Sequence, residues 1–170
     1  MLLHLTGAVL TLTAGTLLGV RAAAGLRQRV RTLTAWEAAL HVMETELSFR
    51  LSALPDLLER GAGAVREPVA GVLRRCRNAL YRGEERPFAL LWQAELAALP
   101  HLDAEERQVL EELGGILGRC AAAEQVQALQ GARARLETCR QRARGELERQ
   151  GRVRCVLGAS LGLLLVLILF

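Results

Sequence analysis

Apolar residues recur at spacings of three and four along one stretch of the chain: Leu26, Val30, Leu33, Trp36, Leu40, Met43, Leu47, Leu51 and Leu54. No Gly or Pro interrupts the run between Gly25 and Pro55. The pattern predicts an amphipathic helix of about four heptads, continuing an apolar segment that precedes it. Pro55, Pro68, Pro87 and Pro100 then punctuate the chain. Ser52 is the expected N-cap of a short helix ending near Gly61, and Pro68 and Pro87 suit first-turn positions. "YRGEER" (81–86) reads as a turn. Asp103, with Glu106 three residues on, resembles a capping box opening a helix through Val109, Leu110, Leu113 and Leu117. From about Ala121 a last long helix carries the stripe Val126, Leu129, Ala132, Leu136, Cys139, Ala143 and Leu147. Its outer faces hold close charge pairs such as Glu146–Arg149 and Glu148–Arg152. No stretch alternates convincingly with the period of a strand. The expected fold is an all-α bundle.

The two ends change that picture. The first twenty residues, MLLHLTGAVLTLTAGTLLGV, contain no Asp, Glu or Arg. At about 1.5 Å per residue such a helix spans a hydrocarbon core of about 30 Å. A secretory leader cleaved near Ala22–Ala24 is the competing reading, but it lacks a basic start and its apolar run is long. The other end, CVLGASLGLLLVLILF (155–170), is a shorter candidate span. Arg21, Arg27, Arg29 and Arg31 follow the first segment, and Arg149, Arg152 and Arg154 precede the second. Positive charge collects on the cytoplasmic side of membrane helices. The expected organisation is a membrane helix over 1–20, a cytoplasmic helical bundle over 21–154 and a membrane helix over 155–170, with both termini outside. Gly15 and Gly19, extended backwards by Thr11 and Gly7, and Gly158 with Gly162 space small residues four apart. Such faces let membrane helices approach closely.

Candidate chemistry is sparse. Cys76, Cys120, Cys139 and Cys155 form no C-x-x-C pair, and scattered thiols suit a reducing compartment. No phosphate loop, nucleophile elbow or H-E-x-x-H is present, and His4, His41 and His101 stand isolated. No cofactor, metal or small-molecule substrate is therefore expected. "RRCR" (74–77) is the densest basic cluster, but it lacks interleaved aromatics, so nucleic-acid binding is not expected. Anionic lipid explains an arginine face beside a membrane more simply.

Glu44 and Glu46 are the sharpest local question. On a helix of about 100° per residue they lie about 160° apart. A shared metal or an acid/base dyad is thereby excluded. Glu44 borders the apolar stripe and has Ser48, not a cation, one turn on, so it needs a distant arginine or hydrogen-bond donor if partly buried. Glu46, on the flank, has Arg50 one turn on. Glu44, Glu46 and Arg50 are the candidates for contact with a partner.

"GAVLTLTAGTLLG", "LTAWEAALHVMETELSF" followed by "LP", "VLEELGGILG" followed by "EQ", and the terminal apolar segment occur in an order that resembles stage III sporulation protein AB. The likeness covers nearly the whole chain and is sharpest at "ETEL" and "LGGILG". The resemblance implies a mother-cell membrane protein of the channel-like complex joining mother cell and forespore. Its cytoplasmic domain would be similar to the platform protein of type II secretion and type IV pilus machines, and its neighbours would be a cytoplasmic ATPase and other membrane subunits. Where the family usually carries Ser-Asp, Cys120 and Ala121 stand here. The expected function is thus a non-enzymatic membrane scaffold that docks an ATPase. The rivals are a general secretion or pilus platform subunit and a membrane-tethered nucleic-acid-binding regulator.

Overall fold

The computed structural model describes the backbone of residues 2–169 and the side chains of residues 24–149. Six helices make up the described chain: α1 (Leu2–Arg50), α2 (Leu54–Gly63), α3 (Val69–Tyr81), α4 (Phe88–Ala97), α5 (Ala104–Ile116) and α6 (Ala122–Leu169). Among the described residues there is no strand, as the hydrophobic periodicity predicts. Nor is any described helix long and apolar enough to cross a membrane. The two expected spans, 1–20 and 155–170, lie outside the residues whose side chains are described, and Gly7, Gly15, Gly19, Gly158 and Gly162 lie there with them.

Helices α1 and α6 form the antiparallel spine. Glu44, Glu37 and Arg29, taken down α1, meet Arg133, Arg140 and Glu146, taken up α6. The stripes read from the sequence supply the apolar seam: Leu33, Trp36, Leu40, Met43 and Leu47 face Leu129, Ala132, Leu136, Cys139 and Ala143, all buried. The shorter helices close over the remaining face of α1. Trp36 of α1 and Trp92 of α4 meet edge to face, 5.5 Å between ring centres, with Leu58, Leu73, Leu96 and Leu110 buried in the same core.

The first helix ends earlier than the stripe suggests. It stops at Arg50, and Leu51 takes a left-handed φ of 50° with its side chain in solvent. Pro55 is the reason. It has no N–H for the carbonyl of Leu51, and its ring would strike that carbonyl in a continuous helix. The chain breaks, and α2 restarts with Ala53, not Ser52, at the N-cap and Pro55 in the first turn. Pro68 and Pro87 likewise stand at N-cap positions of α3 and α4, one residue before the first turn. At α3 the Glu67 carboxylate accepts the Gly71 N–H at 3.0 Å. The expected capping box does form at α5, where the Asp103 N–H donates to Glu106 Oε2 at 3.0 Å.

Two glycines of "LGGILG" have distinct structural reasons. Any Cβ on Gly114 would collide with the indole of Trp92, which crosses α5 there and donates from Nε1 to the Leu110 carbonyl at 2.7 Å. Gly118 ends the α5 turn at φ 74°, a conformation that glycine adopts without steric cost. Gly115 faces open space.

Candidate functional site

Glu44 finds its distant arginine on α6. Its carboxylate accepts from Arg133 at 2.8 Å and from Gln130 at 2.7 Å, and the Arg133 guanidinium also lies 2.7 Å from His41 Nδ1. One heptad down α1, Glu37 pairs with Arg140 at 2.7 Å. Glu37 with Glu44, and Arg140 with Arg133, are each seven residues apart, so antiparallel helices align them as a two-rung ladder. Such flanking charges fix the register of paired helices. The sequence reading reached Glu44 but not Glu37, whose partner lies about a hundred residues away and leaves no local signature.

The exposure of the partners sets the size of the effect. The Glu44 side chain is 16 % exposed but that of Arg133 is 39 % exposed. A freed Arg133 regains water, so Glu44→Ala should cost about 1–2 kcal/mol, short of the 3–5 kcal/mol typical of a fully buried orphan charge. The Glu37–Arg140 pair is covered on both sides, 15 % and 16 % exposed. Glu37→Ala should therefore be the costlier of the two in urea unfolding, and the reverse order would contradict this account of the ladder.

Glu46 points elsewhere, as the angle around the helix requires. It sits 3.7 Å from Arg50 and is nearly as covered as Glu44, at 17 % exposed. The expected flank position is thus half-buried, because α2 folds back beside it. Glu46 and Arg50 line a cleft of about 720 Å³ between the end of α1 and α2, together with Val42, Asp56, Glu59 and Arg60. Phe49 and Leu51, large apolar side chains in solvent, are the sequence neighbours of Arg50. Gly118 packs against Leu54 at this same end of the bundle.

A third arrangement escapes sequence analysis. Glu106, essentially without solvent access, accepts from Arg29 of α1 at 2.7 and 2.8 Å. Arg29 also reaches Asp103 at 2.5 Å and, more loosely, Glu146 of α6 at 3.9 Å. Burial alone would lower the guanidinium pKa, but the hydrogen bond and charge of Glu106, with Asp103 and Glu146, outweigh it and raise that pKa above its ordinary value. One glutamate therefore caps α5 with one oxygen and binds α1 with the other. Its local capping signature gives no hint of the second bond. Glu146 is turned toward Arg29, so the expected Glu146–Arg149 pair is not what forms.

The arginines of "RRCR" are each paired with a carboxylate at the surface of the bundle. Arg74 pairs with Glu67 at 3.2 Å, Arg75 with Glu95 at 2.5 Å and Arg77 with Glu59 at 2.9 Å. Between them Cys76 is buried, its thiol pushed up to about 12 by burial and then by Glu95. Burial, followed by Glu105 and Glu106, also raises the thiol of Cys139. Neither is a poised nucleophile. Among the described residues no three His, Cys, Asp or Glu side chains converge to hold a metal ion.

The family model for stage III sporulation protein AB matches residues 4–170. A solved structure of a stage III sporulation protein AB superposes with a TM-score of 0.63 at 22 % identity, over 71 % of this chain and 97 % of that one. No curated protein matches the chain. The superposition shows a common fold, while the family match runs through both apolar ends and every segment of the bundle between them; the chain belongs to the stage III sporulation protein AB family.

Proposed function

We propose that this sporulation protein is a membrane-anchored, non-enzymatic scaffold of a secretion-like complex between mother cell and forespore. Two helices, 1–20 and 155–170, would hold it in the mother-cell membrane facing the forespore, with residues 21–154 in the cytoplasm and both termini outside. Its distal end would dock the cytoplasmic ATPase of the complex, and its membrane helices would pack with other membrane subunits through the glycine faces.

The observation that carries this reading is the antiparallel α1–α6 pair. Because the helices run in opposite directions, the two apolar segments depart from the same end of the bundle. The Glu46–Arg50 cleft and the exposed Phe49 then stand at the other end. Thirty residues of helix separate Arg50 from the first apolar segment, about 45 Å at the helical rise. That is far enough beyond the headgroups to meet a soluble motor. A half-buried glutamate paired with an exposed arginine, next in sequence to exposed aromatic and aliphatic side chains, is also the composition of a protein contact. The family match favours the sporulation complex over a general secretion or pilus machine.

Reporters fused at residues 1 and 170 should both report the outside, and a cytoplasmic C-terminus would sink the two-anchor arrangement. In pull-downs of the ATPase from the same complex, Glu46→Ala combined with Phe49→Ala should weaken capture at least about tenfold, as loss of a hot spot does. Glu44→Ala, whose carboxylate is engaged inside the bundle, should leave capture near wild type. Equal capture by all three would remove the distal end as the docking surface.

A further inference from the structure

The end of the bundle from which the apolar segments depart carries charge that the fold itself does not use. Its carboxylates are engaged: Asp103 and Glu106 by Arg29, Glu105 by Arg142 at 3.0 Å, and Glu146 by Arg29. Four arginines around them are different. Arg27, Arg31 and Arg144 are exposed around the Arg29–Glu146 contact, and a fourth, Arg149, is exposed one turn beyond it. Among the described residues none of the four has an ion-pair partner, although Arg29, Arg133, Arg140 and Arg142 on the same two helices are all matched. The distinction is geometric. Arg27 and Arg31 lie one turn apart on a common face, about 160° around the helix from Arg29, which turns inward to Glu106. Arg144 directly follows the buried Ala143, and so lies about 100° around α6 from the stripe that meets α1, exposed on its flank. The arginines that could complete the core do so, and the remainder are left pointing away from it.

We infer that Arg27, Arg31, Arg144 and Arg149 form a collar that binds the anionic headgroups of the cytoplasmic leaflet. The inference rests on the membrane anchoring proposed above and adds to it a lipid preference and the residues that set it. Arg27 and Arg149 stand about 9–11 Å along their helices from the ends of the apolar segments, about a Debye length from the surface and within reach of a guanidinium side chain. Arg31 and Arg144 form an outer ring about 16–17 Å away, contributing less. Arg21, Arg152 and Arg154 continue the same charge toward the apolar segments in the sequence. The planar guanidinium, with its fork of donors, suits phosphate oxygens. Unpaired arginines at a leaflet boundary attract anionic lipid additively. The dense "RRCR" cluster, whose arginines are paired with Glu67, Glu95 and Glu59, would not contribute.

The test uses the full chain in mixed micelles of phosphatidylglycerol and phosphatidylcholine, with co-purifying lipid quantified after gel filtration. The wild-type chain should retain phosphatidylglycerol over phosphatidylcholine several-fold beyond the ratio supplied, and high salt should reduce the excess. R27Q/R31Q/R144Q/R149Q should lose most of that excess, and R27Q/R149Q alone the larger share of the loss. R66Q/R82Q/R86Q/R119Q, which removes the same charge from exposed sites elsewhere, should keep it. Equal losses in both quadruple variants would mean that net charge alone acts, and would overturn the collar, as would an unchanged excess in the first. Competition by millimolar inorganic phosphate as effective as that by phosphatidylglycerol would show a free-anion site and also overturn it. Flotation with reconstituted vesicles separates the two layers of argument. A chain that floats with both lipids without preference defeats the collar alone, and one that floats with neither defeats the anchoring and the collar together.

Discussion

Glu106→Ala should destabilise the helical domain by about 3 kcal/mol or more, the largest loss expected from any single charged residue here. Two costs combine. Arg29, 16 % exposed, loses its best acceptor, and the Asp103 N–H at the start of α5 loses its cap. Asp103 still holds Arg29 at 2.5 Å, which keeps the loss from being larger. Glu106→Gln retains a cap acceptor and the side-chain volume, so it should cost about half as much. Removing the other partner separates the ion pair from the cap. With Arg29→Gln, Glu106 stays buried without its cation but keeps the Asp103 N–H, so this variant should lose nearly as much as Glu106→Ala. Urea unfolding of residues 25–150, which should fold alone as a helical domain, measures all three variants. A loss under about 1 kcal/mol for Glu106→Ala would mean that the α1–α5 junction does not depend on this ion pair.

Gly114→Ala should rank next, at about 2–3 kcal/mol, although alanine is the better helix former. The added methyl has no space, since it would lie 2.8 Å from Trp92 Cγ and closer still to Cδ1. The indole must move, straining its bond to the Leu110 carbonyl and its edge contact with Trp36. Near-ultraviolet circular dichroism should weaken along with the stability, because the two tryptophans supply most of that signal. The neighbouring substitution gives the control. Gly115→Ala meets nothing within 4 Å and should stabilise α5 by up to about 1 kcal/mol through helix propensity. Similar destabilisation by both would show that backbone freedom, not the tryptophan, explains this pair of glycines.

The periodicity of three and four, the absence of alternating stretches and the punctuation by proline were enough to establish an all-helical bundle with a long helix at each end. They also named most of its core, because amphipathic stripes report burial directly: Leu33, Trp36, Leu40 and Met43 on one spine helix, Leu129, Leu136 and Cys139 on the other. The capping box at Asp103 was legible for the same reason, being made by residues three apart. Around the helix axis, simple angular geometry already separated Glu44 from Glu46. What lay beyond the sequence were the partners. The arginines that meet Glu44, Glu37 and Glu106 come from 89, 103 and 77 residues away. A charged side chain carries no mark of which opposite charge it will find across a helix pair. Only the antiparallel seating of α1 on α6, and of α5 across α1, decided which arginines were drawn into the bundle and which were left facing out. The same packing decided that one glycine of "LGGILG" lies beneath a tryptophan while its neighbour lies beneath nothing. Local periodicity determines which face of a helix is buried, and the register between helices determines which individual charges are buried with it.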